Sequence, residues 1–214
     1  MSLYIGDHEL LQHSDPFARL LCQPGVVEEV ELRGSVGFMA FHGGQLEETT
    51  DVVAREAALA SGSSYYGVVQ PSTDQWHIPS HRVTADQSDR LAAFMTHIDV
   101  VIAIHGFGRP ELWRSILIGG RNRQLAEFTA IRLIPVLPHY EILTDLETIP
   151  KELRGQHQSN PVNRARGGGI QIELPPRVRG NSPIFWGRDV SKPVPHLTAL
   201  IDALSCAARD WSVP

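Results

Sequence analysis

The chain has 214 residues and a mass of 23.7 kDa, enough for one sizeable core, and 42% of its residues are hydrophobic. A net charge of −5 and a pI of about 6.0 argue against general nucleic-acid binding by bulk electrostatics. No stretch approaches the roughly 20 apolar residues that span a bilayer, and the N-terminus lacks a basic segment followed by an apolar one, so no membrane partner and no classical signal peptide are expected.

The expectation is therefore a soluble protein, cytoplasmic or released by lysis, folded as a single domain over residues 1–214. Cys22 and Cys206 form no C-x-x-C pair, and a reduced pair is expected. Charge is unevenly spread: residues 1–108 carry net −9 and residues 109–188 net +5. Arginine supplies 17 of the 19 cations, which suits bidentate carboxylate recognition, although a genome that favours Arg codons gives the same count.

Short helices are expected around Glu9–Gln12 and Phe17–Leu21, closed by the turn signal Gln23-Pro24-Gly25. Val27–Leu32 reads as an edge strand that pairs near Val36–Phe41, itself an apolar run short enough for a buried strand. Thr49 or Thr50, with Asp51, is placed to cap a helix over Asp51–Ala60. A strand over Tyr65–Val69 precedes the extended segment Trp76–Val83, which Pro79 excludes from a helix interior.

Asp86–His97 has helical spacing, with Leu91, Phe94 and Met95 on the core side, and Asp99–Ile104 is the strongest central strand. A strand over Ser115–Ile118 and a helix over Asn122–Leu133 follow, then helical composition over Glu147–Leu153 and a long loop over Gln156–Gly169, with Asn160 and Asn163 suited to Asx turns. Gly169–Leu174 alternates, with Ile170, Ile172 and Leu174 on one face and Gln171 and Glu173 on the other, and a terminal helix spans His196–Trp211. Alternating strands and helices predict an α/β fold with a mostly parallel or mixed twisted sheet flanked by helices.

Two of the predicted strands end in a His-Gly dipeptide, His42-Gly43 and His105-Gly106. Histidines at the same end of neighbouring strands converge, and Glu47 lies five residues after His42. Two histidines and a carboxylate with an open fourth position form the ligand set of a catalytic zinc site, one Zn2+ per chain. A zinc amidase also requires a base to move the water proton to the leaving nitrogen, and Glu173 is the candidate. The competing readings are ordinary polar strand ends for the histidines, a helix N-terminal carboxylate for Glu47 and a solvent-facing strand residue for Glu173.

The block HGGQLEETTDVVA resembles the HGG-x-(I/L)-E-x-x-T-x-x-(V/I/L)-A signature of the poly-γ-glutamate hydrolase family of phages and bacteria, some members of which carry a phage-related replication label. WHIPSHRV, VVIAIHGF, ILIGGRNRQL and SNPVNRARGGGIQIELPPRVR continue the likeness in family order from Val36 to Arg179. The resemblance implies a fold similar to zinc carboxypeptidases and hydrolysis of amide bonds to glutamate. It implies His42, Glu47 and His105 as zinc ligands and Glu173 as general base, the four residues that the strand ends suggest.

Departures from the family pattern bear on the substrate rather than the metal: Gln45 stands where Gly is usual, Glu48-Thr49 where Pro-Gly is common, and Pro79 where Thr is common. For an anionic γ-glutamyl polymer or peptide, His77, Arg164 and Arg179 are the substrate-binding candidates. Asn122-Arg123 joins them because it resembles the Asn-Arg pair that binds a terminal carboxylate in zinc carboxypeptidases. Alternatives are a zinc amidase acting on cell-wall peptides or N-acylated acidic amino acids, and a non-catalytic protein that grips an acidic polymer.

Overall fold

A computed structural model describes residues 15–181 and 194–212; the helix expected around Glu9–Gln12 lies outside the described residues. Helix α1 (Pro16–Leu21) leads into β1 (Val27–Glu31), β2 (Gly34–Gly44), α2 (Thr50–Ser61) and β3 (Ser63–Gln70). They are followed by α3 (Asp89–His97), β4 (Val100–Gly106), β5 (Ser115–Gly119), α4 (Arg123–Leu133), β6 (Glu141–Leu143), β7 (Gly169–Leu174) and α5 (Pro195–Asp210). The Pro-containing connections form single 3-10 turns at Ser80–Arg82, Ala85–Gln87, Pro110–Leu112, Lys151–Leu153 and Pro161–Asn163 in place of longer helix.

The strands make one mixed seven-stranded sheet in the order β1-β3-β2-β4-β7-β5-β6. Its centre, β3-β2-β4-β7, is parallel, and antiparallel pairs attach β1 to β3 and β5 to β7. The expected pairing of β1 with β2 does not occur. Parallel neighbours already fill both edges of the buried β2, and the half-exposed, Glu-rich β1 lies against β3, where Glu29 and Glu28 accept hydrogen bonds from the Tyr65 and Tyr66 hydroxyls.

The two-residue period of the strands divides the core. Phe38, Ala40, Ile102, Ile104, Ile170 and Ile172 pack on one face with Val53 of α2, Leu125 of α4 and Leu204 of α5. Met39, Phe41, Val101 and Ala103 pack on the other with Phe17 of α1 and Leu91 and Phe94 of α3, while Met95 is only partly buried there. No helix among the described residues is long and apolar enough to cross a membrane. Cys22 and Cys206 are both free thiols.

Two features aim the sheet at a site. β3 lies on one side of β2 and β4 on the other, so chain order reverses between β2 and β4, and the crevice beyond their carboxyl ends is where open α/β sheets bind ligands. Between Ala40 and Gly43, β2 carries one residue more than β3, a bulge that re-aims the side chain of His42.

Candidate metal and catalytic site

Beyond the bulge, Gly44 turns the backbone with φ +71, in a position where a Cβ would lie 2.2 Å from the Gln70 carbonyl oxygen. The turn is fixed from below by Asp51, whose Oδ1 accepts a 3.0 Å hydrogen bond from the Gly44 N–H. Asp51 therefore holds this loop rather than capping α2. Thr50 Oγ1 donates to the Glu47 carbonyl at 2.7 Å, and Thr49 occupies the cap position with no side-chain cap bond.

The loop returns Glu47 over the ends of β2 and β4. Its Oε1 lies 2.8 Å from His42 Nδ1; its Oε2 accepts the Gly106 N–H at 2.8 Å and lies 3.4 Å from His105 Nδ1. Phe41 stands edge-on to both imidazoles, 4.8 Å from each ring centroid, and wedges them at a fixed separation. His42, Glu47 and His105 are all buried.

The chemistry of this donor set fits a cation. His42 Nε2 lies 2.8 Å from the Ile78 carbonyl oxygen and can only donate there. In the neutral ring Nδ1 is then a lone pair, and it faces a carboxylate oxygen. Two electron-pair donors at that distance require a proton or a metal ion between them. The backbone carbonyl on the far nitrogen is the support that metal-binding histidines usually have. Among the described residues His105 Nε2 is buried without a partner, so this ring also carries an unused nitrogen.

His77, on the segment before the Ser80–Arg82 turn, is exposed and approaches from above. Its Nε2 is 4.0 Å from Glu47 Oε1 and its ring centroid 4.5 Å from that of His42. The ligand atoms of His42, Glu47 and His77 lie within 4.8 Å of one another, so His77 and His105 flank the same carboxylate as candidates for the third ligand.

Glu173 completes the cluster. It pairs with His105 across the β4–β7 ladder, and the face of β7 that it shares with Gln171, polar by sequence, is buried. Burial pushes the Glu173 carboxyl up to about 7, with Glu47 adding to the rise while His105 and the Gln171 hydrogen bond oppose it. Glu47 behaves in the opposite way: burial again disfavours its charge, but the His42 and His105 imidazoles together outweigh burial and hold it well below the usual carboxylate range. His105 is raised because Glu47 outweighs the effect of burial. Two carboxylates a short distance apart thus differ in proton affinity, the condition for one to bind a cation and the other to carry a proton.

These groups line a cavity of about 390 Å³, shared with His81, Lys151, Gln156, His157 and Asn160. The other expected substrate-binding residues do not line it. Asn122 caps α4, accepting from the Leu125 N–H at 2.9 Å, and Arg123 donates to the Gly120, Ile118 and Thr144 carbonyls. Arg179 is buried and donates to the Leu174, Glu48 and Phe107 carbonyls. Arg164 borders a separate groove of about 530 Å³ with Asp86 and Met95. Main-chain carbonyls left over at strand and loop ends have taken up the Arg123 and Arg179 guanidiniums, a use that sequence does not distinguish from substrate binding.

Several cavity residues escaped the sequence reading. Gln171 was detectable, since it sits two residues before Glu173 on the same strand face. Lys151 comes from the 3-10 turn Lys151–Leu153 and His157 from a loop, and no local pattern marked either as a cavity residue. The His157 ring lies tilted against that of His81, with 4.7 Å between centroids.

The sequence profile of the poly-γ-glutamate hydrolase family matches residues 21–192. The chain belongs to that family. Among solved structures, a bacteriophage poly-γ-glutamate hydrolase aligns over 85% of this chain and 87% of its own, with a TM-score of 0.71 at 18% identity. The zinc-free apo form of YNDL aligns over 98% of both chains, with a TM-score of 0.71 at 21% identity. At these identities the likeness shows a shared fold. A metallo-carboxypeptidase from Burkholderia cenocepacia overlaps more loosely, with a TM-score of 0.47 at 8% identity over 94% of this chain and 68% of its own. No curated protein matches the chain in sequence. Membership places the chain in a hydrolase family.

Proposed function

We propose that the chain is a zinc-dependent amide hydrolase that cleaves γ-glutamyl linkages, with His42, Glu47 and His105 holding one zinc ion and Glu173 serving as general base. The observation that carries this reading is the convergence of His42 Nδ1 and His105 Nδ1 on the two oxygens of Glu47, beside a buried carboxyl that burial keeps near neutrality. Family membership and the zinc-free description of YNDL support the metal and the linkage.

When bound, zinc supplies a Lewis acid that polarises the scissile carbonyl and acidifies water. The residues of the chain do the rest. Glu173 takes a proton from the attacking water and returns it to the leaving nitrogen, for which an affinity near neutral pH is suited. Phe41 and the Ile78 carbonyl keep the imidazoles in place, and His77 stands over the cavity where it can donate to substrate. Lys151 lines the cavity and makes no ion pair among the described residues, so it takes the carboxylate-binding role.

A second reading has one observation in its favour. A cavity of about 390 Å³ with a single Lys or Arg among its lining residues suits a short acidic substrate, such as a cell-wall peptide or an N-acylated acidic amino acid, as well as a polymer end. The test is metal content of the purified chain together with fragment release from poly-γ-glutamate, for wild type and Glu173→Gln. About one zinc per chain in both, with cleavage in wild type alone, supports the proposal. Zinc with cleavage of short acylated glutamates but not of polymer supports the second reading. Polymer binding without cleavage at saturating zinc makes the chain a binding protein.

A further inference from the structure

Behind Glu173 lies a chain of buried amides with a fixed direction. Asn160 begins it: as the residue before the Pro161–Asn163 turn, it accepts the Val162 N–H on Oδ1 at 3.2 Å. A main-chain N–H can only donate, so the side of the amide that meets it is oxygen and the opposite side is NH2. That NH2 donates to Gln171 Oε1 at 2.8 Å, which leaves Gln171 to present its own NH2 to Glu173 Oε1, again at 2.8 Å. Asn160, Gln171 and Glu173 are each at least 96% buried, so few waters can reach these bonds.

The middle amide is also held sterically. Gly155, at φ +62, packs so closely that a Cβ there would stand 2.9 Å from Gln171 Cβ and 3.0 Å from its Oε1. The alternation of β7 places Gln171 and Glu173 on one face, and the register sets them beside Ala103 and His105.

Resting on the reading of Glu173 as general base, we infer that Asn160 and Gln171 are positioning residues, a one-way amide relay that ties down Glu173 Oε1 and leaves Oε2 as the oxygen that takes and returns the proton. Oε1 is permanently an acceptor, because the group facing it has only N–H to offer. The water proton therefore goes to Oε2, and from Oε2 it goes to the leaving nitrogen. A carboxylate free to turn would share these duties between two oxygens and lose orientation in the transition state. The direction of the relay is set at the Val162 backbone N–H, outside the reacting groups.

The test has a spectroscopic arm and a kinetic arm. In protein labelled with ¹⁵N-glutamine, and with Gln171 assigned by its disappearance in Gln171→Met, one Gln171 side-chain proton is expected downfield of the other glutamines. It should move back in Glu173→Gln, where the acceptor is neutral, and in Asn160→Asp, where an acceptor faces Gln171 and turns its amide round. Kinetically, Gln171→Met and Asn160→Asp should each lower kcat by roughly 10- to 100-fold, the range for groups that orient a functional residue, with KM unchanged. The double variant should lose no more than the worse single one, since both break one relay. An ordinary Gln171 signal that ignores Glu173→Gln, or wild-type kcat in a folded Gln171→Met, overturns the inference. Where Gln171→Met does not fold, the wild-type signal and its response to Glu173→Gln decide. A wild-type chain with no hydrolytic activity defeats the reading of Glu173 as a base, while the same signal still decides whether the amides hold the carboxylate.

Discussion

His105 and Glu173 stand opposite one another in the β4–β7 ladder, an imidazole and a carboxylate buried on the same face of the sheet. The pair explains why Glu173 stays near neutrality rather than rising further: burial drives its carboxyl up, and His105 is the largest influence in the other direction.

This has a measurable consequence for the metal-free protein. Below pH 4.5 Glu173 is protonated in both the folded and unfolded chain and costs nothing. Between 4.5 and about 7 the unfolded chain loses the proton while the folded chain keeps it, so stability falls as pH rises, and above 7 the whole penalty remains. Glu173→Gln has no charge to bury. It should therefore match wild type at pH 4 and exceed it at pH 8 by up to about 3 kcal/mol, read from denaturant titrations of chelator-treated protein. A variant less stable than wild type at pH 8 would mean that the carboxylate is stabilised where it lies.

Metal removal separates the two candidate third ligands. Chelation should abolish hydrolysis and zinc should restore it. His105→Ala and Glu47→Ala should bind zinc more than roughly 100-fold more weakly, whereas His77→Ala should keep the metal and lose mainly turnover. Isothermal titration with zinc, which needs no substrate, reads this directly. Tight zinc binding by His105→Ala and its loss in His77→Ala would transfer the third ligand position to His77, whose ligand atom lies within 4.8 Å of those of His42 and Glu47.

Much of this site was visible in the sequence because strand-end histidines and a glycine turn are local features. His42-Gly43-Gly44 and His105-Gly106 each lie within one element and its exit, and the β2–β4 adjacency that joins them follows from a sheet with central apolar strands. The limits were contacts made at long range. Whether Arg123 or Arg179 meets a ligand or a carbonyl depends on which loop ends lie nearby, and β1 chose β3 through its glutamates and the hydroxyls of Tyr65 and Tyr66 rather than through its apolar pattern. Strands also ran further than their apolar runs: β2 continues through His42 to Gly44 and β4 through His105 to Gly106, because ladder bonds do not depend on side-chain polarity.

Thr49 carries backbone strain at the turn before α2. It holds φ +78, a left-handed conformation that a β-branched residue adopts at a cost of about 1–2 kcal/mol. Its hydroxyl donates to the Arg179 carbonyl at 3.2 Å, which offsets part of that strain. Thr49→Gly should raise Tm by about 2 °C through relief of the strain, and Thr49→Ala, which keeps the Cβ and loses the hydrogen bond, should lower it. Thermal unfolding of the two variants side by side distinguishes strain from bonding. A lower Tm for both would make the hydroxyl the larger effect.

Lys151 offers the last test, because it is the cation left to recognise an acidic substrate after the expected arginines are accounted for. It sits on the 3-10 turn Lys151–Leu153 at the cavity wall, next to Glu152, which is itself paired with Arg109. An exposed charge acts through solvent and is screened by salt, so its effect should appear in binding rather than in the chemical step. Lys151→Met should raise KM for poly-γ-glutamate by about 10-fold, leave kcat within about 2-fold, and flatten the dependence of KM on ionic strength. An unchanged KM with an unchanged salt response would place carboxylate recognition on the His81–His157 pair across the cavity, and His157→Ala would then carry the effect instead.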